Sequence, residues 1–176
     1  MNLTFEQGRK SDFTILQNIQ LAAGRLFHNI GMSHIAESPP TDIEAFLATK
    51  AHSSVLVARL GPDIVGFALT YCERTNCHLE QMSVAPEYAR RGIGSEILQH
   101  QIERCRQRCM SRMTLSTFRN VPWNEPFYRN AGFRAIPASG LTGYLKAAWQ
   151  AENAFGLDMT QRTMMSLSLR ASSQKT

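Results

Sequence analysis

The sequence predicts an α/β or α+β fold, in which a mixed, mostly antiparallel sheet of six to seven strands is flanked by about four helices. Short apolar runs of strand length recur along the chain, and Gly61-Pro62-Asp63 joins two of them as a hairpin turn. Longer stretches with helical spacing separate other runs. The 176-residue chain is long enough to bury a substantial core. We therefore expect a single domain over residues 1–170 and a disordered tail over residues 171–176.

The first half of the chain predicts two helices and four strands. Apolar residues recur at helical spacing from Ile15 to Leu26, after a possible N-cap within residues 10–12. Residues 28–41 contain Gly, His and Pro and predict a loop, and Thr41 could cap a second helix that ends near His52. The expected strands are Leu3–Glu6, Val55–Leu60, Ile64–Tyr71 and His78–Val84.

The second half predicts helices that alternate with strands. An apolar stripe from Ile93 to Cys105 predicts a helix of three turns. A short helix is expected over Trp123–Ala131, with Gly132 placed to cap its carboxyl end. Residues 140–156 fit either a loop or a helix. The expected strands are Met113–Phe118, Phe133–Ile136 and Met164–Leu169.

The segment after the fourth strand carries the first functional signal, with the sequence Val-Ala-Pro-Glu-Tyr-Ala-Arg-Arg-Gly-Ile-Gly-Ser over residues 84–95. A strand followed by a glycine-containing loop and a helix directs backbone N–H groups and the helix dipole toward an anion. Gly92 and Gly94 let a ligand approach the backbone, and Arg90 and Arg91 add positive charge. The pattern indicates a phosphate site, although neither the P-loop nor the G-x-G-x-x-G motif is present.

A second cluster, Trp-Asn-Glu-Pro-Phe-Tyr-Arg-Asn-Ala-Gly-Phe, follows one strand later at residues 123–133. With both clusters the chain resembles the GCN5-related N-acetyltransferases (GNAT). In that family a strand and a Pro-Glu-Tyr-like turn precede Q/R-x-x-G-x-G/A, and Phe-Tyr and Gly-Phe follow after a further strand. The element order over residues 3–169 resembles the family's fold as well. The matching residues are Val84, Ala85-Pro86-Glu87-Tyr88, Arg90-Arg91-Gly92-Ile93-Gly94, Phe127-Tyr128 and Gly132-Phe133.

The resemblance implies acetyl-CoA as the co-substrate. Tyr128 aligns with the tyrosine near the coenzyme's sulfur and would protonate the leaving thiolate. Asn124 is expected first as a helix cap, although some family members use an asparagine in this region to bind the coenzyme. The strand edge that pairs with the pantetheine arm would be Met82, Ser83 and Val84. The pyrophosphate would be held by the backbone N–H groups of Arg90, Arg91, Gly92, Ile93, Gly94 and Ser95.

Two residues depart from the family pattern. Ala89 stands where Gln or Arg is usual, so main-chain groups and the neighbouring arginines must hold the pyrophosphate. Ser116 stands where some members carry a catalytic Glu, so the general base must lie elsewhere or be water. Glu80 is the first candidate, because it lies on the fourth strand and a carboxylate there could accept a proton from an ammonium substrate. The alternatives are an exposed structural role for Glu80 and a proton relay through His78.

The expected function is therefore direct transfer of an acetyl group to an amine of a small molecule or peptide, and the alternative is a non-catalytic acyl-CoA sensor. No metal-ligand spacing is present, and the net charge of +5 comes without a dense basic run, which disfavours nucleic acid. No apolar run reaches the roughly 18 residues of a membrane span. A cytoplasmic location with reduced thiols is expected, and the resemblance allows a homodimer. The four cysteines are Cys72, Cys77, Cys105 and Cys109.

Overall fold

The computed structural model describes residues 2–170, and the tail predicted over residues 171–176 lies outside this range. The chain divides into two compact units. The amino-terminal unit contains the residues up to Cys72 together with Glu80–Glu103. The carboxy-terminal unit contains Glu73–Leu79 and the residues from Arg104 onward. Within residues 2–170, no helix is both long and apolar enough to cross a membrane.

Seven strands and six α-helices are present in the described residues. The strands are β1 Leu3–Gln7, β2 Ser54–Leu60, β3 Asp63–Glu73, β4 Asn76–Val84, β5 Arg112–Phe118, β6 Arg134–Ala135 and β7 Arg162–Ser168. The helices are α1 Phe13–Gly24, α2 Ser33–Ala36, α3 Ile43–Thr49, α4 Ile93–Gln107, α5 Glu125–Asn130 and α6 Tyr144–Ala154. The sheet order is β1-β2-β3-β4-β5-β7-β6. The predicted mixed-sheet fold is confirmed, with two more helices than predicted.

The amino-terminal unit is built on an antiparallel ladder of β1, β2 and β3. Residues 55–58 of β2 are buried on both faces, which explains why this strand is a continuous apolar run without alternation. Each fully buried large side chain in this core stabilises the fold by about 1.5–3 kcal/mol. The core consists of Leu16, Ile19, Ile43, Phe46, Val55, Val57, Phe67, Leu69, Tyr71 and Ala85.

The helices α1 and α3 are capped differently from the sequence prediction. Thr41 does not cap the second long helix, because its N–H and hydroxyl bond to the Gln20 side chain at 3.2 Å each. Asp42 caps α3 instead, accepting the N–H of Ala45 at 3.0 Å. Asp12 precedes α1 but makes no side-chain cap bond to it. Its carboxylate instead accepts the backbone N–H of Arg9 and the guanidinium of Arg59, both outside the helix.

Two segments contain more helix than predicted. The predicted loop over residues 28–41 includes the end of the 3₁₀ turn Arg25–Ile30 and the short helix α2. Gly31, at φ 75°, ends the 3₁₀ turn, which shows that the glycine marks a helix end. In the ambiguous stretch 140–156 the chain forms α6, an amphipathic helix with Leu145 fully buried.

The carboxy-terminal unit contains a parallel pair and two antiparallel pairs. The first residues of β4, Asn76–Leu79, pair in parallel with Arg112–Leu115 of β5. β7 pairs antiparallel with all seven residues of β5, and on its other side with the short strand β6. β7, the last strand of the described range, therefore lies between β5 and β6, which are consecutive in sequence.

Candidate functional site

The loop that leads from β4 into α4 ends in a glycine with open space beside it. After the 3₁₀ turn Pro86–Tyr88, Arg90 has φ 59° and Gly92 has φ 83°. The carbonyl of Gly92 accepts the N–H of Glu96 at 3.1 Å, so Gly92 caps the helix. A Cβ at Gly92 would meet no atom within 4 Å. The N–H groups of Ile93, Gly94 and Ser95 belong to the first turn of α4, where a helix offers them no intrahelical partner, as in helix starts that bind anions.

The end of β4 lies in the same unit as this loop. The observed pairing of β4 with β5 ends at Leu79, so the last five residues of the strand lie beyond it. Of these, Glu80 is exposed and Ser83 is buried. Met82 and Val84 are half-buried. Their backbone groups on the β5 side are not part of the observed β4–β5 ladder.

Gly66 of β3 determines how closely the end of β4 approaches β3. A Cβ at this position would lie 2.8 Å from the carbonyl oxygen of Ser83 and 2.8 Å from Cδ1 of Ile97. The N–H of Ala85 donates to the carbonyl of Val65 at 2.9 Å, directly after the strand. The end of β4 and the beginning of α4 are therefore held by a contact that only glycine permits.

Tyr128 is held in α5 by the cap that the sequence predicted at Gly132. Gly132 has φ 95° and donates to the carbonyl of Arg129 at 3.0 Å, while the N–H of Phe133 donates to the carbonyl of Tyr128 at 3.1 Å. These two bonds form a Schellman motif. The rings of Tyr128 and Phe133 meet edge to face with their centroids 5.8 Å apart. The ring centroids of Phe127 and Tyr128 are 5.0 Å apart, also edge to face. The Gly-Phe pair thus fixes the orientation of the tyrosine.

The hydroxyl of Tyr128 is chemically available. It makes no hydrogen bond to any residue in the range 2–170. Burial raises the pKa of Tyr128 well above its ordinary value, and the positive charge of Arg162 acts weakly in the opposite direction. The phenol is therefore protonated throughout the physiological range and can donate a proton.

Asn124 does not act as the helix cap that the sequence predicted. Its backbone carbonyl accepts the N–H of Tyr128 at 3.1 Å, but its side chain makes no cap hydrogen bond. The reason lies in its backbone, whose φ of −114° and ψ of −105° depart from the extended conformation of a normal N-cap. The Asn124 amide is therefore left for another partner. Trp123 beside it is 39% exposed.

Ser116 belongs to a polar cluster that the sequence did not predict. Its hydroxyl donates to Glu152 at 2.8 Å and accepts from Arg162 at 2.9 Å. Arg162 also binds Glu152 through Nε at 3.0 Å and Nη2 at 2.8 Å, and its guanidinium lies 4.4 Å from the ring centroid of Phe118. The position that carries an acid in some GNAT proteins is thus occupied by a serine in a closed ion-pair network.

His78 belongs to a second polar chain in the carboxy-terminal unit. Its Nδ1 lies 2.9 Å from the hydroxyl of Thr114, and that hydroxyl lies 3.0 Å from the hydroxyl of Tyr144 on α6. His78 is 4% exposed. Sequence spacing could not reveal this chain, because its three members lie on β4, β5 and α6 and meet only through the parallel pairing.

The predicted site residues therefore belong to both units. Glu80, the end of β4 and the loop residues Arg90–Ser95 lie in the amino-terminal unit, whereas Asn124 and Tyr128 lie in the carboxy-terminal unit. Among residues 2–170, no group of three or more His, Cys, Asp or Glu side chains could hold a metal ion. All four cysteines are free thiols.

Comparison with known proteins identifies one family. The family model described as the Acetyltransferase (GNAT) family matches residues 22–133. Among curated proteins, the chain is 30% identical over 95 residues to YedL of Escherichia coli K12, which is described as an uncharacterized N-acetyltransferase. The aligned stretch covers 52% of this chain and 58% of YedL, so it spans little more than half of that relative.

Solved structures share the fold along nearly the whole chain. A GNAT acetyltransferase from Staphylococcus aureus Mu50 superposes with a TM-score of 0.72 at 18% identity, covering 96% of this chain and 100% of that one. The PaiA N-acetyltransferase of Thermoplasma acidophilum, solved in complex with coenzyme A, superposes with a TM-score of 0.67 at 16% identity, covering 96% and 99%. At these identities the likeness concerns the fold.

Proposed function

Since the chain belongs to the Acetyltransferase (GNAT) family, we propose that it transfers an acetyl group from acetyl-CoA directly to an amine of a small molecule or peptide. The observation that carries this proposal is the loop from Arg90 to Ser95, where two arginines and an open, unpaired helix start occur together. The coenzyme A complex of PaiA supports the choice of ligand. Acetyl-CoA supplies the thioester and leaves as the coenzyme A thiol, and the residues of this chain bind the donor, orient it and exchange protons.

The donor is bound through main-chain groups. The backbone N–H groups from Arg90 to Ser95 hold the pyrophosphate, and Arg90 and Arg91 add charge in place of the side chain missing at Ala89. The edge of β4 at Met82, Ser83 and Val84 pairs with the amide groups of the pantetheine arm. Asn124, whose side chain is not engaged in capping, contributes a further polar contact to the coenzyme.

Tyr128 is the general acid that protonates the leaving thiolate. Its protonated phenol and its hydroxyl without a partner in the described residues support this role. A general acid of this kind typically contributes about 100- to 10,000-fold to the rate. A backbone N–H near Met82 or Val84 stabilises the oxyanion that develops on the thioester carbonyl.

Glu80 is the general base that receives the amine proton, directly or through water. It is exposed on β4, two residues before Met82, and can reach solvent. His78 is the second candidate. It ranks below Glu80 because it is buried and bonded to Thr114, so a proton would have to leave it through the hydroxyl groups of Thr114 and Tyr144.

A second function is favoured by one observation. Ser116 is tied to Glu152 and Arg162 and supplies no acid, which suits a domain that binds acyl-CoA without catalysis. Turnover distinguishes the two functions: the sensor binds coenzyme and releases no thiol in the presence of any amine.

The experiment measures thiol release from acetyl-CoA with a panel of small amines and peptide N-termini, and coenzyme affinity by calorimetry. For the wild-type protein we expect turnover with at least one amine. The variant Tyr128→Phe should lower kcat by about 100-fold or more and leave the dissociation constant of coenzyme A within about twofold. A Tyr128→Phe variant with the wild-type kcat would remove Tyr128 from the acid role. Coenzyme binding without turnover by any member of the panel would favour the sensor.

The proposal extends to the cellular location and the assembly of the protein. The free thiols agree with a cytoplasmic protein, where coenzyme and amines are both available. The acceptor is an amine and not a nucleic acid, and no metal takes part in the transfer. A homodimer stays a prediction that light scattering at the working concentration tests.

A further inference from the structure

Tyr88 links the phosphate-binding loop to the core of the amino-terminal unit. It ends the 3₁₀ turn Pro86–Tyr88, and its backbone N–H donates to the carbonyl of Ala85 at 2.9 Å. The half-buried ring packs against the hydrophobic core. Its hydroxyl donates to the carboxylate of Asp63, at the beginning of β3, over 3.2 Å. The ring is therefore held by the core along its side and by Asp63 at its hydroxyl, just before the loop begins.

Arg91 uses this ring as a platform. Its guanidinium carbon lies 5.4 Å from the centroid of Tyr88, within the range of a cation–π contact. The hydrogen bond to Asp63 raises the pKa of Tyr88, so the phenol stays protonated and keeps donating throughout the physiological range. A guanidinium held on an aromatic face keeps its N–H groups at the edge free for a phosphate.

Arg90 offers the natural contrast. It lies next to Arg91 in the loop and has the same charge, but it is exposed and has neither a ring nor an acidic partner among residues 2–170. An arginine side chain that rotates freely on the surface loses conformational entropy when it binds a ligand. A side chain that is already stacked on a ring has lost part of that entropy before binding. The two arginines should therefore differ in what they contribute to binding.

We propose that Tyr88 is a positioning residue for the coenzyme: with Asp63 it pre-orients Arg91 toward the pyrophosphate, while Arg90 contributes charge without pre-orientation. This inference rests on the proposed function, because the ligand is the phosphate-bearing end of acetyl-CoA. It adds to that function a side-chain support that acts through Arg91 and touches no reacting atom.

A double-mutant cycle tests the inference. The variant Tyr88→Leu keeps an apolar group against the core and removes the ring. In the wild-type background it should raise the KM for acetyl-CoA by about two- to thirteenfold, the range given by the ordering cost of one side chain that is no longer held in place before binding. The loss should disappear in an Arg91→Ala background and persist in an Arg90→Ala background. The value of kcat and the KM for the amine should not change, and Tyr88→Phe should recover most of the affinity.

Two further measurements separate the outcomes. In the ligand-free protein, NMR relaxation of the arginine Nε–H groups should show Arg91 restrained and Arg90 mobile, with Arg91 becoming mobile in Tyr88→Leu. Lys50→Ala removes another cation–π contact of the same unit, over Tyr71 at 4.8 Å, and should leave the KM unchanged. Equal losses in both arginine backgrounds, or an equally mobile Arg91 and Arg90, would overturn the inference and leave the proposed function intact. A wild-type protein that binds no coenzyme A would overturn both.

Discussion

The variant Gly66→Ala tests whether the contact between β3 and the end of β4 supports the proposed acetyl-CoA site. The new methyl carbon would lie 2.8 Å from the carbonyl oxygen of Ser83, 2.8 Å from Cδ1 of Ile97 and 3.4 Å from Cα of Val84. The isoleucine methyl can move by a rotamer change, but the oxygen and Cα belong to the backbone. The strand end itself must therefore shift by several tenths of an ångström.

The magnitude follows from these contacts. Overpacking of a filled site costs about 1–3 kcal/mol, and the upper half of that range applies at Gly66 because backbone has to move. For a chain of this size, each kcal/mol lowers Tm by about 2–4 °C. We therefore expect Gly66→Ala to lower Tm by about 4–12 °C. Because Ser83 and Val84 are displaced, the KM for acetyl-CoA should rise as well.

Urea unfolding and thermal unfolding followed by circular dichroism measure the effect. Gly24→Ala is the matched control, because Gly24 ends α1 with a helical φ of −60° and its nearest atom would be the Ala36 carbonyl oxygen at 3.9 Å. This variant should be stabilised by about 0.4–1 kcal/mol. If the two variants have the same free energy of unfolding, the close approach at Gly66 is not real and the reasoning fails.

Three further predictions address the proposed acid Tyr128, the ion pair between Arg162 and Glu152, and the proposed base Glu80. Gly132→Ala should cost about 1–2 kcal/mol in urea unfolding, because φ 95° disfavours any side chain, and should lower kcat by displacing Tyr128; an unchanged unfolding midpoint would contradict the Schellman cap. Glu152→Ala should destabilise the protein by about 2–4 kcal/mol, since it leaves a mostly buried guanidinium unpaired, whereas Glu44→Ala breaks an exposed pair and should cost less than about 1 kcal/mol. Glu80→Gln should lower kcat/KM most at low pH, where the amine is an ammonium ion, and approach the wild type as pH rises; parallel pH profiles would refute the base role.

The amino-acid pattern is sufficient for those features that depend on neighbouring residues. Short apolar or alternating runs predicted the seven strands found within residues 2–170, and Gly132-Phe133 predicted a helix cap whose geometry the structure confirms. The helix start after Gly92 was predicted in the same way. In each case the determining interactions lie within about five residues, so the local sequence contains them.

Capping at α1 and α3 depended on distant residues and was predicted wrongly. Thr41 has the right chemistry for a cap, but Gln20 takes its N–H and hydroxyl, and Asp42 caps α3 instead. Asp12 is likewise occupied by Arg59, which is 47 residues away. A cap assigned from sequence assumes that the side chain has no competing partner, and only the folded chain supplies that information.

The sequence by itself determined the family, the glycine-containing loop before α4 and the tyrosine with its glycine cap, because the residues of each lie in a short continuous stretch. Only the tertiary structure decided that β7 lies between β5 and β6, that Ser116 is tied to Glu152 and Arg162, and that Arg91 lies over the ring of Tyr88. Strand order and side-chain partners depend on residues far apart in the chain, and their contacts exist only after long-range pairing has brought them together.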